Sequence, residues 1–270
     1  MISVILCTYA GDDPLEFYRS FSSIVNQTRQ PDELVIVIDG PIPGTLNNKI
    51  TDCVEAAPFN IVIKQLDVNQ GHGGALRAGV KSASGTYIAI QDADDISVPT
   101  RLEQQFNYIE SHEIDLVGGQ IEEFTESPDS PERTRWMPVD HESIVALFPK
   151  RCPINQTTVL ARRKAILESG NYRNVNRMED YDLWGRMLAD GYKFHNLDVV
   201  LSKVKVENMS ARRGGLEYAQ EEIRQQIDFM NYGVVSLPRM MLNIGLRVPF
   251  RLLPNKARAW VYSNYFRNDN

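Results

Sequence analysis

Three carboxylates are crowded into Asp92-Ala-Asp-Asp95, directly after Gly85-Thr-Tyr-Ile-Ala-Ile-Gln91 and before Ile-Ser-Val-Pro99. Residues Thr86 to Ile90 carry no formal charge and are β-prone, so they read as a buried strand whose end holds the acids. Asp92 and Asp94, two apart in an extended segment, would point the same way, and each would resist ionising beside the other unless a cation joined them. Oxygen-only ligands select Mg²⁺ or Mn²⁺ over zinc, and such an ion is held by one or two carboxylates together with substrate phosphates. The competing reading is a solvated turn that caps the helix beginning near Pro99. A calcium loop is excluded, because counting from Asp92 the sixth position is Ser97 rather than Gly and the fifth is Ile96.

A second acidic group opens Met178-Glu-Asp-Tyr-Asp-Leu-Trp184, which predicts a helix running to Asp190 with Gly191 as its stop. Asp180, Leu183, Trp184 and Met187 share one face of that helix by their spacing of three and four. Asp180 is therefore expected to look into protein or a cleft. The helix dipole accounts for Glu179 more readily than for Asp180.

The elements that must position these acids alternate between strand and helix. Ile2 to Leu6 reads as a strand ending at Cys7-Thr-Tyr9, and Asp12-Asp13-Pro14 supplies a cap for a helix whose apolar stripe is Leu15, Tyr18, Phe21 and Val25. A second strand, Leu34 to Ile38, stops at Asp39-Gly-Pro-Ile-Pro43; a third, Ile61 to Leu66, leads into Asn69-Gln-Gly-His-Gly-Gly74 and a helix from about Ala75 to Ser82. Alternation of this kind implies an α/β fold with parallel pairing and right-handed crossovers. Thr8-Tyr9, Asp39, the Gly71 to Gly74 loop and Asp92 to Asp95 then converge on one sheet edge, where open α/β sheets bind ligands. Further on, Asp115 to Gln120 and Thr157 to Ala161 read as strands, Glu122 to Arg135 as a surface loop, Pro138 to Phe148 as a helix, and Arg162 to Ser169 as a short helix stopped by Gly170.

A chain of 270 residues is long enough for one large α/β domain or two modest ones. Cys7, Cys53 and Cys152 form no CxxC pair, which argues against a disulfide framework or a zinc site and suits a reducing compartment. No signal peptide or membrane span is expected, which points to the cytoplasm. Of the net charge of −6, residues 231–270 carry six basic side chains against Asp269, so that segment is +5 and the remainder −11. An acidic body argues against nucleic acid as a partner, whereas a basic, apolar tail suggests an anionic surface for the tail alone. Val234 to Phe266 fits an interfacial membrane segment, or a pair of amphipathic helices packed on the catalytic domain with Pro238, Pro249 and Pro254 breaking it.

Ser3-Val-Ile-Leu-Cys-Thr-Tyr9, Asn26-Gln-Thr28, Val37-Ile-Asp-Gly40, Asn69-x-Gly71, Gly85-x-Tyr-Ile88, Asp92-Ala-Asp-Asp95, Met178-Glu-Asp180 and Trp184 together resemble family 2 glycosyltransferases with the GT-A fold. Arg212-Arg-Gly-Gly-Leu216 and Arg247-Val-Pro-Phe-Arg-Leu-Leu-Pro254 look like the C-terminal region of bacterial exopolysaccharide transferases of the amylovoran type. The resemblance implies a Rossmann-like, mostly parallel nucleotide-binding sheet flanked by helices, with a helical C-terminal tail. Residues 1–205 would be the catalytic domain, 1–115 its donor half and 116–205 its acceptor half, and 206–270 the tail.

The implied activity is inverting transfer from a nucleotide-sugar, UDP-linked by expectation, to a glycan or lipid-linked acceptor in surface or exopolysaccharide biosynthesis. Thr8 and Tyr9 would line the base pocket, Asp39 would bind the nucleoside, and Asp92 and Asp94 correspond to the DxD pair. Asp94 would hold Mn²⁺ or Mg²⁺, Asp92 would share the ion or touch the ribose, and Asp95 would share the ion as well. Asp180 corresponds to the catalytic base, and Arg212 and Arg213 would clamp the diphosphate. This agrees with elementary chemistry: a leaving diphosphate needs positive charge, and the attacking hydroxyl needs a base whose pKa partial burial would raise.

Three positions depart from the family pattern. Ile38 replaces the first of two adjacent acids, Gln156 stands where related enzymes carry a histidine, and His72 is not a strong family position and reads as a water-exposed loop residue. Other functions fit less well. A nucleotidyltransferase would resemble a Gly-rich signature after the first strand, and Gly71-His-Gly-Gly74 is not the GxGxxG of a dinucleotide oxidoreductase. The non-enzymatic alternative is a catalytically silent nucleotide-sugar or glycan-binding module at a membrane.

Overall fold

Strand β1 (Ile2–Tyr9) is buried along almost its whole length because parallel neighbours flank it on both sides. Those neighbours are β2 (Glu33–Asp39) and β4 (Tyr87–Gln91), with β3 (Asn60–Gln65) outside β2. Buried parallel strands read as continuous apolar runs, and Val4, Ile5, Leu6, Val35, Ile36, Ile88 and Ile90 are such a run in three pieces. Alternate residues serve opposite faces. Val4, Leu6, Leu34, Ile36 and Ala89 share a core with helices α1 (Pro14–Val25) and α2 (Gly44–Ala56). On the other face Ile5 and Val37 meet Gly79 of α3 (Gly71–Ser82), where an added Cβ would lie 2.6 Å from Ile5.

The computed structural model describes residues 1–175, 177–206, 214–254 and 257–258. Beyond β4 come β5 (Ile96–Ser97), α4 (Arg101–Ser111), β6 (Leu116–Phe124), β7 (Arg133–Arg135) and α5 (His141–Leu147). A 3₁₀ turn (Gln156–Thr158), β8 (Leu160–Arg162), α6 (Arg163–Glu168), α7 (Glu179–Ala189) and β9 (Phe194–Lys205) complete this part. Among the described residues nine strands join in one sheet, ordered β3-β2-β1-β4-β8-β6-β9-β5 with β7 on β6. The first four strands are mutually parallel, whereas β8 is antiparallel to β4 and β6, so the second half of the sheet is mixed.

Several expectations change here. The helix after β1 buries Phe17, Phe21 and Ile24, while Leu15 and Tyr18 are 60 % and 48 % exposed. Both sets satisfy a spacing of three and four, and the sheet takes the one with two phenylalanines. The segment from Glu122 to Arg135 is not all loop, since β6 runs to Phe124 and pairs with β7 as an antiparallel partner. Thr157 and Thr158 belong to the 3₁₀ turn and not to the strand that follows.

The chain divides into two compact units, Met1–Lys205 and Val206–Asn270. In the second, α8 (Leu216–Asn231) and α9 (Leu237–Leu252) pack through a polar seam: Asn243 donates to Gln226 at 2.7 Å, and fully buried Glu222 pairs with Arg247 and Arg251. Pro238 starts α9 and Pro249 lies inside it, so only Pro254 follows its end. Arg212, Arg213 and the tail residues after Arg258, Trp260 among them, lie outside the described residues.

Candidate active site

Register places the polar strand ends together. Tyr9 pairs with Asp39 across β1 and β2, and Leu6 pairs with Gln91 across β1 and β4, so Thr8-Tyr9, Asp39 and Asp92 meet at one edge. Asp12 holds the first of these. Its Oδ2 accepts from the Thr8 hydroxyl at 2.9 Å and the Tyr9 backbone N–H at 3.0 Å, while its neighbour Asp13 alone caps α1. The ring of Tyr9 lies over Gly11, where a Cβ would sit 2.5 Å from the phenol oxygen, and 46 % of Tyr9 remains exposed. Asp39 is buried, and its Oδ1 accepts from the Gln70 N–H at 2.7 Å, which fixes the approach to α3.

The glycine segment is not a loop ahead of a helix but the first turn of α3, with Gly71 at φ +75° as the residue that starts it. Gly73 faces the start of α7, where a Cβ would lie 2.5 Å from the Arg173 carbonyl and 3.1 Å from Glu179 Cβ. Absence of a side chain there lets the two helix N-termini approach.

Asp92 to Asp95 form a turn, closed by Asp95 N–H donating to the Asp92 carbonyl at 3.3 Å, and not the extended pair expected from spacing. Nor do the acids cap α4, whose N-cap is Thr100. The turn separates their environments. Asp92 Oδ1 is buried without a hydrogen-bond partner. Asp94 keeps a solvent-facing side, yet loss of water around its carboxyl and then the Asp92 charge push it up to about 6. Asp95 is buried, accepts from the Lys205 N–H at 3.1 Å, and is pushed well above the usual carboxylate range by burial, then by Asp92 and Asp94.

Among the described residues no three His, Cys, Asp or Glu side chains converge as a metal-ligand group. Asp95 is tied to the end of β9 through the Lys205 N–H. Asp94 also borders a small cleft lined by Glu16, Arg19, Phe124 and Lys205.

A buried polar network carries this turn. Gln91 Nε2 donates to the Ser20 hydroxyl at 2.9 Å and the Asp95 carbonyl at 2.8 Å, and Ser20 donates to the Asp92 carbonyl at 2.7 Å. Beneath it, Arg101 places five hydrogen bonds on Gln105, Gln91, Ser97 and the carbonyls of Ile90 and Val159. Burial lowers the Arg101 guanidinium to about 10, which leaves it charged below the acids at neutral pH. Sequence reasoning missed both residues. Their one signal is a glutamine closing an otherwise apolar strand, with an arginine ten residues later.

Across the edge stands the start of α7. Met178 precedes it in the left-handed region at φ 60°, unusual for a side chain of this size. Asp180 is half-buried, and Leu183, Trp184 and Met187 on its face are fully buried. Asp182 is neutralised by Arg186 at 2.8 Å.

Between the two acidic groups lies His72, which is not the isolated loop histidine the sequence suggests. Its Nε2 is 3.5 Å from Asp92 Oδ1, 3.8 Å from Glu179 Oε1 and 2.9 Å from Gln156 Nε2, while 40 % of its side chain stays accessible. Burial would lower its pKa, but the charges of Asp92, Glu179, Asp180 and Asp12 outweigh that and raise it. The structure thus brings together Thr8, Tyr9, Asp39, Asp92 and Asp94 on one edge, and links Asp92 to the α7 acids through His72.

Known proteins are similar to this chain in sequence and in fold. Residues 3–170 match the model of glycosyl transferase family 2. The amylovoran biosynthesis glycosyltransferase AmsE of Erwinia amylovora is 32 % identical over 267 residues, covering 97 % of this chain and 98 % of that protein. The Escherichia coli UDP-Gal:α-D-GlcNAc-diphosphoundecaprenol β-1,3-galactosyltransferase is 30 % identical over 267 residues, covering 98 % and 96 %. Among solved structures, the mannosyltransferase PcManGT of Pyrobaculum calidifontis, in complex with GDP-Man and Mn²⁺, superposes with a TM-score of 0.67 at 14 % identity, covering 98 % of this chain and 75 % of that one. With this sheet, this edge and these relatives, the chain belongs to glycosyl transferase family 2 and is a glycosyltransferase with the GT-A fold.

Proposed function

We propose that the enzyme transfers a sugar, with inversion and with the help of a divalent cation, from a UDP-sugar to a glycan or lipid-linked acceptor in surface or exopolysaccharide biosynthesis. The observation that carries this reading is Asp92 Oδ1, a buried carboxylate oxygen without a hydrogen-bond donor, beside an Asp94 carboxyl pushed up to about 6. Crowded, under-satisfied carboxylates at a strand-end edge fit a hard cation, because an oxygen-only donor set is what Mn²⁺ or Mg²⁺ takes. Asp94 and Asp92 would hold it, and the ion would supply positive charge to the leaving diphosphate.

The chain's own residues do the rest. Tyr9 offers a half-exposed ring for the base to stack on, and Asp39 orders the turn into α3 beside the nucleoside. Asp180, whose charge acts on His72, takes the proton from the acceptor hydroxyl as it attacks. Arg212 and Arg213 would add guanidinium contacts to the diphosphate. The amylovoran and diphosphoundecaprenol relatives favour a polysaccharide or lipid-linked acceptor here.

Calorimetric titration of UDP and GDP, with and without Mn²⁺, on the parent and on Asp94→Ala tests the donor site. Metal-dependent UDP binding that the variant loses is the expected result. If neither nucleotide binds with metal present, the donor site is not at this edge and the silent-module reading moves ahead.

The tail has its own place in this function. Among the described residues no helix is long and apolar enough to cross a membrane. Helix α9, however, exposes Leu237, Met241, Leu246 and Leu252 and contains no acid, and since two of its three arginines, Arg247 and Arg251, are held by Glu222, it is the apolar face that suits a peripheral contact with lipid. Sedimentation with anionic vesicles should fall in the full chain carrying Met241→Glu and Leu246→Glu; unchanged sedimentation removes the tail from membrane binding.

A further inference from the structure

The loop between β1 and α1 carries a glycine that its own backbone does not require. Gly11 is exposed in a turn and is not one of the glycines at positive φ, so an alanine there would meet no backbone strain. What a side chain would meet is Tyr9. A Cβ on Gly11 would lie 2.5 Å from the phenol oxygen and 2.6 Å from the ring carbons Cε2 and Cζ, closer than non-bonded heavy atoms approach. The ring of Tyr9 thus occupies the place that any side chain at position 11 would take.

The backbone around this contact is tied down, so the ring and not the chain would give way. Asp12 Oδ2 accepts from the Thr8 hydroxyl at 2.9 Å and from the Tyr9 N–H at 3.0 Å, and the Asp12 N–H donates to the Tyr9 carbonyl at 3.1 Å. Upstream, Tyr9 is the last residue of β1 and pairs with Asp39 of β2. Downstream, Asp13 Oδ1 accepts from the N–H groups of Leu15 and Glu16 at 2.8 and 3.1 Å and fixes the start of α1. Between these anchors the soft coordinate is the half-exposed Tyr9 side chain, which turns to another staggered rotamer at little cost.

We infer that Gly11 is a positioning residue for the nucleotide, acting through Tyr9. By having no side chain it lets the ring settle over the loop before a base arrives, and the exposed part of the ring is then a preformed platform. A surface already in its bound position gives up less freedom on binding, which is where such a device gains affinity. The inference rests on the reading that the base stacks on Tyr9, and deepens it. Tyr9 supplies the surface, while Gly11, with Asp12 holding the backbone on either side, supplies its orientation.

The test measures, by calorimetry with Mn²⁺, the binding of UDP to the parent, Tyr9→Phe, Tyr9→Ala, Gly11→Ala and the double variant Tyr9→Ala/Gly11→Ala. Tyr9→Ala should bind about tenfold more weakly, the loss of one base–aromatic stack, whereas Tyr9→Phe, which keeps the ring, should bind as the parent does. Gly11→Ala should lose about as much as Tyr9→Ala, because a displaced ring is no platform. Added to Tyr9→Ala, it should cost nothing further, since no ring is left to displace. A glycine that served only the shape of the loop would not behave in this way. Equal weakening by Gly11→Ala in both backgrounds therefore overturns the inference, and so does a Gly11→Ala variant with the parent's affinity. Parental affinity in Tyr9→Ala, or its loss in Tyr9→Phe, sinks the stacking reading itself, and is told apart because it is read before any Gly11 variant is compared. A parent that binds no UDP removes the donor site from this edge and the inference with it.

Discussion

The parallel sheet treats carboxylates in opposite ways at its two ends. Where the strands begin, Glu33 accepts from the Ser3 hydroxyl at 2.6 Å and from both the N–H and the hydroxyl of Ser84 at 2.9 Å, and its pKa lies below the ordinary value. Where they end, Asp94 and Asp95 are pushed up and Asp92 keeps an open oxygen. By linkage, ionising Glu33 adds stability, whereas the Asp94 contribution is greatest below the ordinary carboxylate range and is lost as pH rises through about 6. One end is built to hold the sheet together. The other carries charge that the fold alone leaves under-compensated, which is how sites that take a ligand differ from scaffold.

The largest way to sharpen this contrast is chemical. Asp180→Asn should cut transfer about 10²- to 10⁴-fold, the range of a lost general base, while UDP binding with Mn²⁺ stays at the parent level. Steady-state rates alongside nucleotide titration check it. Unchanged transfer would break the base assignment; loss of nucleotide binding as well would mean that α7 supports the donor side instead.

A comparable effect on stability belongs to the layer under the carboxylate turn. Arg101→Met removes five donors at once and leaves Gln91, Ser97, Gln105 and two carbonyls short of partners in the interior. A loss of about 3–5 kcal/mol in urea denaturation is expected, as for a broken buried ionic network. A loss below about 1 kcal/mol would show that the turn does not depend on this network, and the distinction between satisfied scaffold and open site would fail just where the two touch.

Much of the edge was legible because strand ends announce themselves. Apolar runs stopping at Thr8-Tyr9, Asp39 and Asp92 are continuous patterns of period and punctuation, and parallel pairing then forces them together. Helix α7 was legible for the same reason, through Leu183, Trp184 and Met187. The stripe of α1 was not, because Leu15-Tyr18-Phe21-Val25 and Phe17-Phe21-Ile24 are both helical spacings and only the sheet decides between them. Helix α2 hides its own stripe, Leu46, Ile50 and Cys53, behind the turn-rich segment from Gly40 to Gly44. Strand β9, with His195, Asp198 and Lys203 among its residues, has no clean alternation and is held by pairing with β6 over a register shift near Gly119. The contact between His72 and Gln156 joins residues far apart in sequence, and no local pattern encodes it.

The smallest effect tests the quiet end of the sheet. Burial alone would raise the Glu33 carboxyl, but the hydrogen bonds from Ser3 and Ser84 outweigh it and hold the pKa below 4.5. A carboxylate of this kind contributes stability that is present above its unfolded pKa and lost as pH falls through its folded one. Glu33→Gln keeps the size and one acceptor but turns the second oxygen into a donor facing the Ser84 hydroxyl, so about 2 kcal/mol should be lost at pH 7. In urea denaturation of the full chain the gap between parent and variant should then narrow as pH falls below about 4.5, because the parent carboxylate protonates and gives up its advantage. A gap that stays constant across that window would show that the glutamate charge does not bind the strand starts. The two ends of the sheet would then differ in hydrogen-bond count but not in electrostatics.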